Sequence, residues 1–185
     1  TNPGPLCSGV AFNLPATSNN GITGSWAPAV NNTQTTTYTF TPDNTGCATP
    51  TNLTVVINPG FELTLSGDGA ICQGEEIPVV IIKAIGGAAP YTFTYSLNNE
   101  STVTVTSNQN TSVIDFANYP GFNANTPGCY DITLSGSTAG GCLSGNTTFP
   151  DYLCVYPKPT ASFSISSGNN GLYSMINTSS GATSY

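Results

Sequence analysis

Histidine and arginine are absent from this sequence, and its only basic residues are Lys83 and Lys158. Charged residues make up 6% of the 185 residues, whereas an ordinary globular domain is about 25% charged. The nine acidic residues, which give a formal net charge of −7, are scattered along the chain. These absences exclude a basic surface for nucleic acid and a polybasic patch for anionic membranes.

Sequence signatures of catalysis are missing as well. Without histidine the usual activation of a serine nucleophile fails, and neither lysine lies in a Ser-x-x-Lys pattern. No GxSxG motif, P-loop or dinucleotide fingerprint occurs. The adjacent Glu75 and Glu76 would point to opposite faces of an extended strand, which makes them poor partners for two-carboxylate catalysis. We therefore expect a protein that is not an enzyme and that needs no cofactor.

The hydrophobic pattern predicts an all-β protein. No segment has sustained helical periodicity, and Gly or Pro interrupts the chain about every 8 to 15 residues, which is typical of β-sandwiches. The near-continuous apolar run "IPVVIIKAI" (Ile77–Ile85) predicts a central strand that is covered on both faces. Alternating stretches elsewhere predict these inward-facing side chains: Tyr38 and Phe40; Leu53, Val55 and Ile57; Tyr91, Phe93, Tyr95 and Leu97; Tyr130, Ile132 and Leu134.

Repeated motifs divide the chain into units. The motif "LCSG" at Leu6–Gly9 recurs as "ICQG" at Ile71–Gly74, and two apolar strands run into the proline-containing stretches "VVINPG" and "CVYPKPTASF". Proline ends strand pairing and stiffens a joint, and repeated units that meet at such joints indicate a string of modules. We therefore predict a small disulfide-closed module at 1–59, a β-sandwich at 60–158 and the start of a further module at 159–185.

The last unit is short. The stretch "ASFSISSGNNGLYSMINTSSGATSY" predicts two strands, Ser162–Ile165 and Leu172–Ile176, joined by a Ser/Gly/Asn turn. Two strands cannot bury a core on their own. We expect this segment to be the beginning of a further module that more strands would complete.

Six cysteines indicate disulfide bridges. A mixed Cys/His zinc site would need histidine, and no two cysteines are close enough for a CxxC knuckle, so the even count favours bridges formed in an oxidising compartment. Cys7 and Cys47 are the only two cysteines of the first unit, and we expect them to pair. For the second unit, strand parity favours Cys72–Cys142 with Cys129–Cys154, ahead of Cys129–Cys142 with Cys72–Cys154.

The preferred pairing in the second unit depends on a predicted hairpin. A turn around Gly140 and Gly141 would place Cys129 opposite Cys154, and the same register would place Leu134 opposite Phe149. Residues that face each other at a non-hydrogen-bonded position of two antiparallel strands lie about 4.5 Å apart at Cα, which is within disulfide range.

Few residues are candidates for ligand binding. Trp26, the lone tryptophan, could be an exposed surface on which a glycan stacks, although a position in the core or under a turn is more common. The Thr-rich faces of the strands could bind sugar or ice, although such faces are also normal solvent surfaces. Ser66–Ala70 and Thr41–Gly46 could offer oxygen atoms to a structural calcium ion, but both favour ordinary Asp turns.

Four stretches resemble a known class of surface protein. "NNGITGSWAPAVNNTQTTTYTFTPDNTGCATPTNLTVVINP" (Asn19–Pro59) resembles short repeats of giant cell-surface proteins of Bacteroidota, including gliding-motility adhesins. "ICQGEEIPVVIIKAIGGAAPYTFTYSLNN" and "CYDITLSGSTAGGC" resemble the Ig-like or PKD-like modules beside them. The final stretch resembles the first two strands of a PKD domain, without the W-x-F-G-D-G segment that usually follows.

This resemblance implies a function and a location. It implies secretion by the type IX system, exposure on the outer surface of the cell, and a role in adhesion or gliding. Expected partners are neighbouring repeats of the same chain, surface polysaccharide or another cell, and the secretion and motility machinery of the outer membrane. Two alternatives stay open: carbohydrate-binding modules of a secreted polysaccharide-degrading enzyme, with a binding face near Trp26, and a structural subunit of a surface filament.

Overall fold

The structure is a computed structural model that describes residues 3–44, 46, 48–67, 69–167 and 173–181. These residues form strands, turns and loops, and they contain no helix that could cross a membrane. The all-β prediction is therefore confirmed. In chain order the strands are β1 Leu6–Cys7, β2 Gly24–Ala27, β3 Thr36–Pro42, β4 Thr51–Val55, β5 Ile57–Asn58, β6 Phe61–Ser66, β7 Ala70–Cys72, β8 Ile81–Gly86, β9 Tyr91–Leu97, β10 Thr102–Ser107, β11 Thr111–Val113, β12 Gly128–Thr138, β13 Thr147–Tyr156, β14 Phe163–Ser167 and β15 Tyr173–Asn177.

Within the described ranges the strands form five sheets. The largest has the order β10-β9-β12-β13-β7, and a three-stranded sheet has the order β11-β8-β6. A second three-stranded sheet, β2-β3-β4, lies in the N-terminal part of the chain, and β1-β5 and β14-β15 form two-stranded sheets. β1 pairs with β5 and β7 pairs with β13 in parallel, whereas the other pairs are antiparallel.

The main core lies between the five-stranded sheet and the sheet of β6, β8 and β11. Alternate residues of β9 point into it, so the predicted inward set Tyr91, Phe93, Tyr95 and Leu97 is buried. Phe61 and Leu63 of β6 belong to the same cluster. The period-2 pattern therefore predicts the buried face correctly, because successive side chains of a strand point to opposite sides.

The prediction for the apolar run Ile77–Ile85 is partly wrong. β8 is the central strand of its sheet, but only one of its faces is covered. Ile82 and Ala84 are buried, whereas Ile85 is 53% exposed and Val79 is 63% exposed. No second layer packs on that outer face among the described residues, so β8 resembles a strand of a half-solvated antiparallel sheet despite its continuous apolar sequence.

A second, smaller core lies in the first 59 residues. Tyr38, Val55 and Ile57 are its buried members, and the partly buried residues packed against them are Leu6, Phe12, Leu14, Trp26 and Leu53. The Tyr38 hydroxyl donates to the carbonyl of Asn31 and accepts from its backbone N–H. The two cores lie on either side of the predicted joint at Pro59, while the division into independent modules stays a prediction.

A bulge changes the predicted register between β12 and β13. Cys129 lies opposite Cys154 as expected, but Leu134 lies opposite Thr147, and Phe149 lies opposite Ile132. The expected Leu134–Phe149 pair is therefore wrong. The register shifts between Tyr130 and Ile132 of β12, and β13 contains the extra residues there. One of them, Asp151, has a φ of 48°, and its N–H donates to the Asp131 carboxylate at 2.8 Å. Pro150 in this segment cannot donate to the ladder.

The C-terminal strands form a hairpin whose large apolar side chains are exposed. β14 and β15 pair antiparallel, with Phe163 opposite Asn177 and Ile165 opposite Met175. Phe163, Ile165 and Met175 are more than half exposed. The predicted strands are confirmed apart from shifts at their ends, and Leu172 lies outside the described residues.

Candidate functional site

Cys7 and Cys142 form a disulfide with a Cα–Cα distance of 5.5 Å and a sequence separation of 135. The predicted pairs Cys7–Cys47 and Cys72–Cys142 are therefore both wrong. Cys47 lies outside the described residues, and Cys72 has a free, half-buried thiol. Cys72 lies in β7 at the edge of the five-stranded sheet, beside Tyr156 of β13, and so does not face Cys142.

Local geometry explains why Cys7 reaches Cys142. β1 pairs in parallel with β5, so Cys7 lies beside Asn58 at the end of the N-terminal unit. The Asn58 side-chain amide donates to the carbonyl of Gly140 at 3.3 Å, in the turn that precedes Cys142. A Cβ atom at position 140 would overlap the Asn58 amide, so a larger residue there would displace this side chain from its hydrogen bond. The bridge is thus set by contacts between two units.

Cys129 and Cys154 form the second disulfide, which confirms that pair. They lie directly opposite each other in β12 and β13, with a Cα–Cα distance of 4.1 Å. The N–H of Cys154 donates away from Cys129, to the carbonyl of Gly69 at 2.6 Å. The pair therefore occupies the close, non-hydrogen-bonded position that the predicted hairpin requires. Two disulfides indicate an oxidising environment of the kind found outside the cell.

The two bridges are interlocked along the chain. Cys142 lies within the segment that Cys129 and Cys154 close, while the bridge from Cys142 leads back to Cys7. Both main cores lie almost entirely between Cys7 and Cys154. A covalent path therefore runs from Cys7 across the bridge to Cys142 and along the chain to Cys154. This path contains far fewer residues than the polypeptide between Cys7 and Cys154.

Trp26 is packed under a loop on one side and exposed on the other, so both environments considered in the sequence analysis apply to it. It lies in β2 opposite Phe40 of β3, with ring centroids 5.1 Å apart, and its indole N–H donates to the carbonyl of Pro15 at 2.9 Å. These contacts pack one part of the ring under a loop. The side chain is nevertheless only partly buried, so part of the indole faces solvent.

The exposed part of Trp26 lines three adjoining depressions of about 370, 380 and 500 Å³. We call them together the Trp26 groove. The polar side chains of its walls include Asn19, Thr51 and Asn52. No lining residue carries a charge. An aromatic surface with neutral amides and hydroxyls can bind an uncharged ligand that has both apolar and hydrogen-bonding faces.

Glu75 and Asn44 each hold a local turn in the described part of the chain through a hydrogen bond to a backbone N–H. Glu75 accepts a hydrogen bond from the N–H of Cys72 at 3.4 Å, and its own N–H donates to the Cys72 carbonyl. In the Thr41–Gly46 segment the side chain of Asn44 accepts from the N–H of Gly46. Among the described residues, no three Cys, Asp or Glu side chains converge as metal ligands, and Asp68 lies outside those residues.

Comparison with known proteins adds no functional assignment. The chain matches no protein-family model, and no curated protein is significantly similar to it in sequence. The candidate features for a function are the interlocked disulfides and the Trp26 groove. The sequence singled out the cysteines and Trp26 by residue type, but nothing in it indicated that Asn58 and Gly140 would bring Cys7 to Cys142.

Proposed function

We propose that this chain is a non-catalytic, load-bearing segment of a secreted cell-surface adhesin. The observation that carries the proposal is the Cys7–Cys142 bridge, which encloses most of both cores. An adhesin holds a cell against drag, so its stalk transmits tension along the polypeptide. A covalent bridge between the two ends of a folded unit prevents that tension from extending the chain in between.

The route of the force follows from the connectivity. Tension that enters at Cys7 passes through the bridge to Cys142 and continues along the chain to Cys154. A parallel route runs from Cys142 back to Cys129 and across the second bridge. Only about a dozen residues, at about 3.4 Å each, can then extend between Cys7 and Cys154, which limits the lengthening to about 40 Å.

Single-molecule force spectroscopy of the oxidised chain, held at its two ends, tests this proposal. The background carries Cys47→Ser and Cys72→Ser, so that no other thiol can exchange with the bridges. We expect the Cys7→Ser/Cys142→Ser variant to lengthen by about 400 Å more than its parent, because the segment between Cys7 and Cys129 then unfolds under load.

The second bridge provides a matched control. In the Cys129→Ser/Cys154→Ser variant the load still passes from Cys7 to Cys142 and along the same short segment to Cys154. We expect its extension to equal that of the parent, although it also lacks one disulfide. A parent chain that releases about 400 Å, or two variants that extend equally, would overturn the load-bearing role.

The cell-surface location is part of this proposal. Its support is the oxidising environment that the two disulfides indicate, together with a surface whose few charges leave solubility to Thr, Ser and Asn side chains. The resemblance of Asn19–Pro59 to surface repeats of Bacteroidota points the same way. The more specific proposal is that the protein is exported by the type IX system and acts in gliding.

The Trp26 groove favours a second candidate function, that of a polysaccharide-binding module. A sugar ring has an apolar face that stacks on indole and hydroxyls that bond to amides and hydroxyls, and the groove offers both kinds of partner without charge. This function is compatible with an adhesin and with an accessory module of a polysaccharide-degrading enzyme.

Trp26 fluorescence tests polysaccharide binding directly, because no other tryptophan contributes to the signal. We expect a neutral polysaccharide such as xyloglucan to shift the emission to shorter wavelength and to reduce quenching by acrylamide, since the ligand covers the exposed part of the ring. Asn52→Asp keeps the oxygen that accepts from Thr39 but adds a charge to the groove, and should weaken the response about tenfold. An unchanged emission with xyloglucan, mannan and dextran would contradict this candidate.

A further inference from the structure

Asn20 and Gly21 lie at the exposed tip of a tight turn beside the Trp26 groove. The two arms of this turn meet at Thr17 and Thr23, which form an antiparallel β-bridge. Asn20 lines the same depression of about 380 Å³ as Trp26. The residue is therefore both open to solvent and part of the wall of a candidate binding site.

The turn favours glycine at position 21. Gly21 has a φ of 76°, in the left-handed region that residues with a Cβ atom rarely adopt. Its N–H donates to the carbonyl of Ser18 at 2.9 Å, and the N–H of Ser18 donates to the carbonyl of Ile22 at 2.8 Å. The space that a Cβ atom of Gly21 would occupy is open. The fold thus holds an unhindered glycine directly after Asn20.

Asn20 is the one asparagine of the described ranges that precedes a glycine. The others precede residues whose side chains crowd the next backbone nitrogen. The side chains of Asn31, Asn44 and Asn52 also accept hydrogen bonds that fix their orientation. No hydrogen bond joins the Asn20 side chain to a described residue. Its carboxamide can therefore turn toward the Gly21 nitrogen.

We propose that Asn20 is a site of spontaneous deamidation, and that its product places a negative charge in the Trp26 groove. The Gly21 nitrogen, after losing its proton to hydroxide, attacks the side-chain carbonyl carbon of Asn20. A C–N bond forms, the bond to the amide nitrogen breaks, and ammonia leaves with a proton taken from water. Water then opens the cyclic imide. Opening at the side-chain carbonyl gives aspartate, and opening at the main-chain carbonyl gives isoaspartate.

The hydrogen bond between the Gly21 N–H and the Ser18 carbonyl controls the rate of this reaction. The nitrogen must leave its acceptor before it can lose its proton, so deamidation follows local opening of the turn. Opening at an exposed tip requires much less free energy than global unfolding. The reaction is therefore slower than in an unfolded peptide but proceeds in the folded chain, and its rate rises with hydroxide concentration.

Deamidation changes the chemistry of the groove. None of the residues that line its three depressions carries a charge in the unmodified chain, so a carboxylate at position 20 introduces the first one. A charged wall must stay hydrated, which disfavours the close approach of a neutral sugar. A loss of affinity for neutral polysaccharide as the protein ages rests on the polysaccharide-binding function proposed above, whereas the deamidation itself does not.

Peptide mapping of the aged, oxidised chain tests the modification. Mass spectrometry locates each exchange of an amide for a carboxylate after storage in mildly alkaline buffer, and electron-transfer fragmentation distinguishes isoaspartate from aspartate. We expect conversion at Asn20, while Asn19, its neighbour in the same peptide, keeps its amide. The other Asn-Gly pair of the sequence, Asn170–Gly171, lies outside the described residues and is followed separately. An intact Asn20 after a synthetic Ala16–Gly24 peptide has fully deamidated, or equal conversion of Asn19, would overturn the proposal.

Quenching of Trp26 fluorescence tests where the new charge lies, without any ligand. A carboxylate in the groove repels iodide but not neutral acrylamide. We expect iodide to quench Asn20→Asp about 1.2- to 1.5-fold less than Asn20→Ser at physiological ionic strength, because Coulomb repulsion in water is screened over about 8 Å. The aged chain should match Asn20→Asp, acrylamide should quench all of them equally, and high salt should remove the difference.

The outcomes separate this proposal from the others. Equal quenching of the two variants by iodide would show that position 20 puts no charge beside Trp26, and would overturn the placement. A chain that deamidates at Asn20 and shows the iodide effect, but does not bind xyloglucan, would contradict the polysaccharide-binding function alone. Neither result bears on the load-bearing role of the bridges.

Discussion

Replacing Cys7 and Cys142 with serine is expected to lower the free energy of unfolding by about 5 kcal/mol. A bridge with a sequence separation of 135 removes a large part of the conformational freedom of the unfolded chain, and the chain-entropy relation gives about this value at 25 °C. The native contacts around Cys7 would remain, because β1 pairs with β5 through backbone hydrogen bonds.

The loss of stability in Cys7→Ser/Cys142→Ser should appear first in the N-terminal part of the chain, before Pro59. Its core has three buried residues, Tyr38, Val55 and Ile57, whereas the core between the two larger sheets has many more. A core that small buries too little apolar surface to offset the ordering of its chain without a covalent link. Without the bridge, amides of β3 and β4 should therefore exchange with solvent much faster than those of β9 and β12.

Urea unfolding, followed by circular dichroism and by hydrogen exchange, measures both effects. Cys129→Ser/Cys154→Ser is the matched control, because its bridge spans a separation of 25 and should contribute about 3.5 kcal/mol by the same relation. The longer bridge should therefore be the more important one. A loss below about 1 kcal/mol for Cys7→Ser/Cys142→Ser, or uniform exchange across both cores, would show that the bridge does not hold the N-terminal unit.

The correct and incorrect predictions differ in the range of the interactions that decide them. The burial of Tyr91, Phe93, Tyr95 and Leu97 follows from alternation within one strand, and the Cys129–Cys154 pair follows from one hairpin. Both are local. The Cys7–Cys142 bridge instead depends on a parallel pairing of β1 with β5 and on a single amide contact to a turn 82 residues away, which no local pattern encodes.

The candidate sites show the same limit. Trp26 is recognisable in the sequence because it is the only tryptophan, but its groove is formed by loops and strands from separate parts of the chain.

Tyr119 joins the loop between β11 and β12 to the end of β9. It is buried, its hydroxyl accepts from the N–H of Leu97 at 2.9 Å, and it donates to the carbonyl of Ser101. Its ring stacks on Tyr95 with centroids 6.1 Å apart. Burial raises the pKa of the Tyr95 phenol. The negative charge of Asp115 adds to this rise, whereas the hydrogen bond that the phenol accepts from the Asp115 N–H lowers the pKa.

Tyr119→Phe is therefore expected to destabilise the protein by about 2 to 3 kcal/mol although it keeps the ring. The substitution leaves the buried N–H of Leu97 without its partner, and it removes the donor to Ser101 as well. An unsatisfied buried group costs about 1 to 3 kcal/mol, more than the net contribution of an ordinary hydrogen bond. Urea unfolding measures the loss, and hydrogen exchange at Leu97 locates it.

Tyr91→Phe provides the comparison for this effect, because Tyr91 is also a buried tyrosine of the same core. Its hydroxyl donates a hydrogen bond of 2.8 Å to the carbonyl of Gly86. Loss of that bond should cost about 1 kcal/mol and should leave exchange at Leu97 unchanged. If Tyr119→Phe cost no more than Tyr91→Phe, the bridging role of the Tyr119 hydroxyl would be refuted, and packing of its ring alone would hold the loop against the sheet.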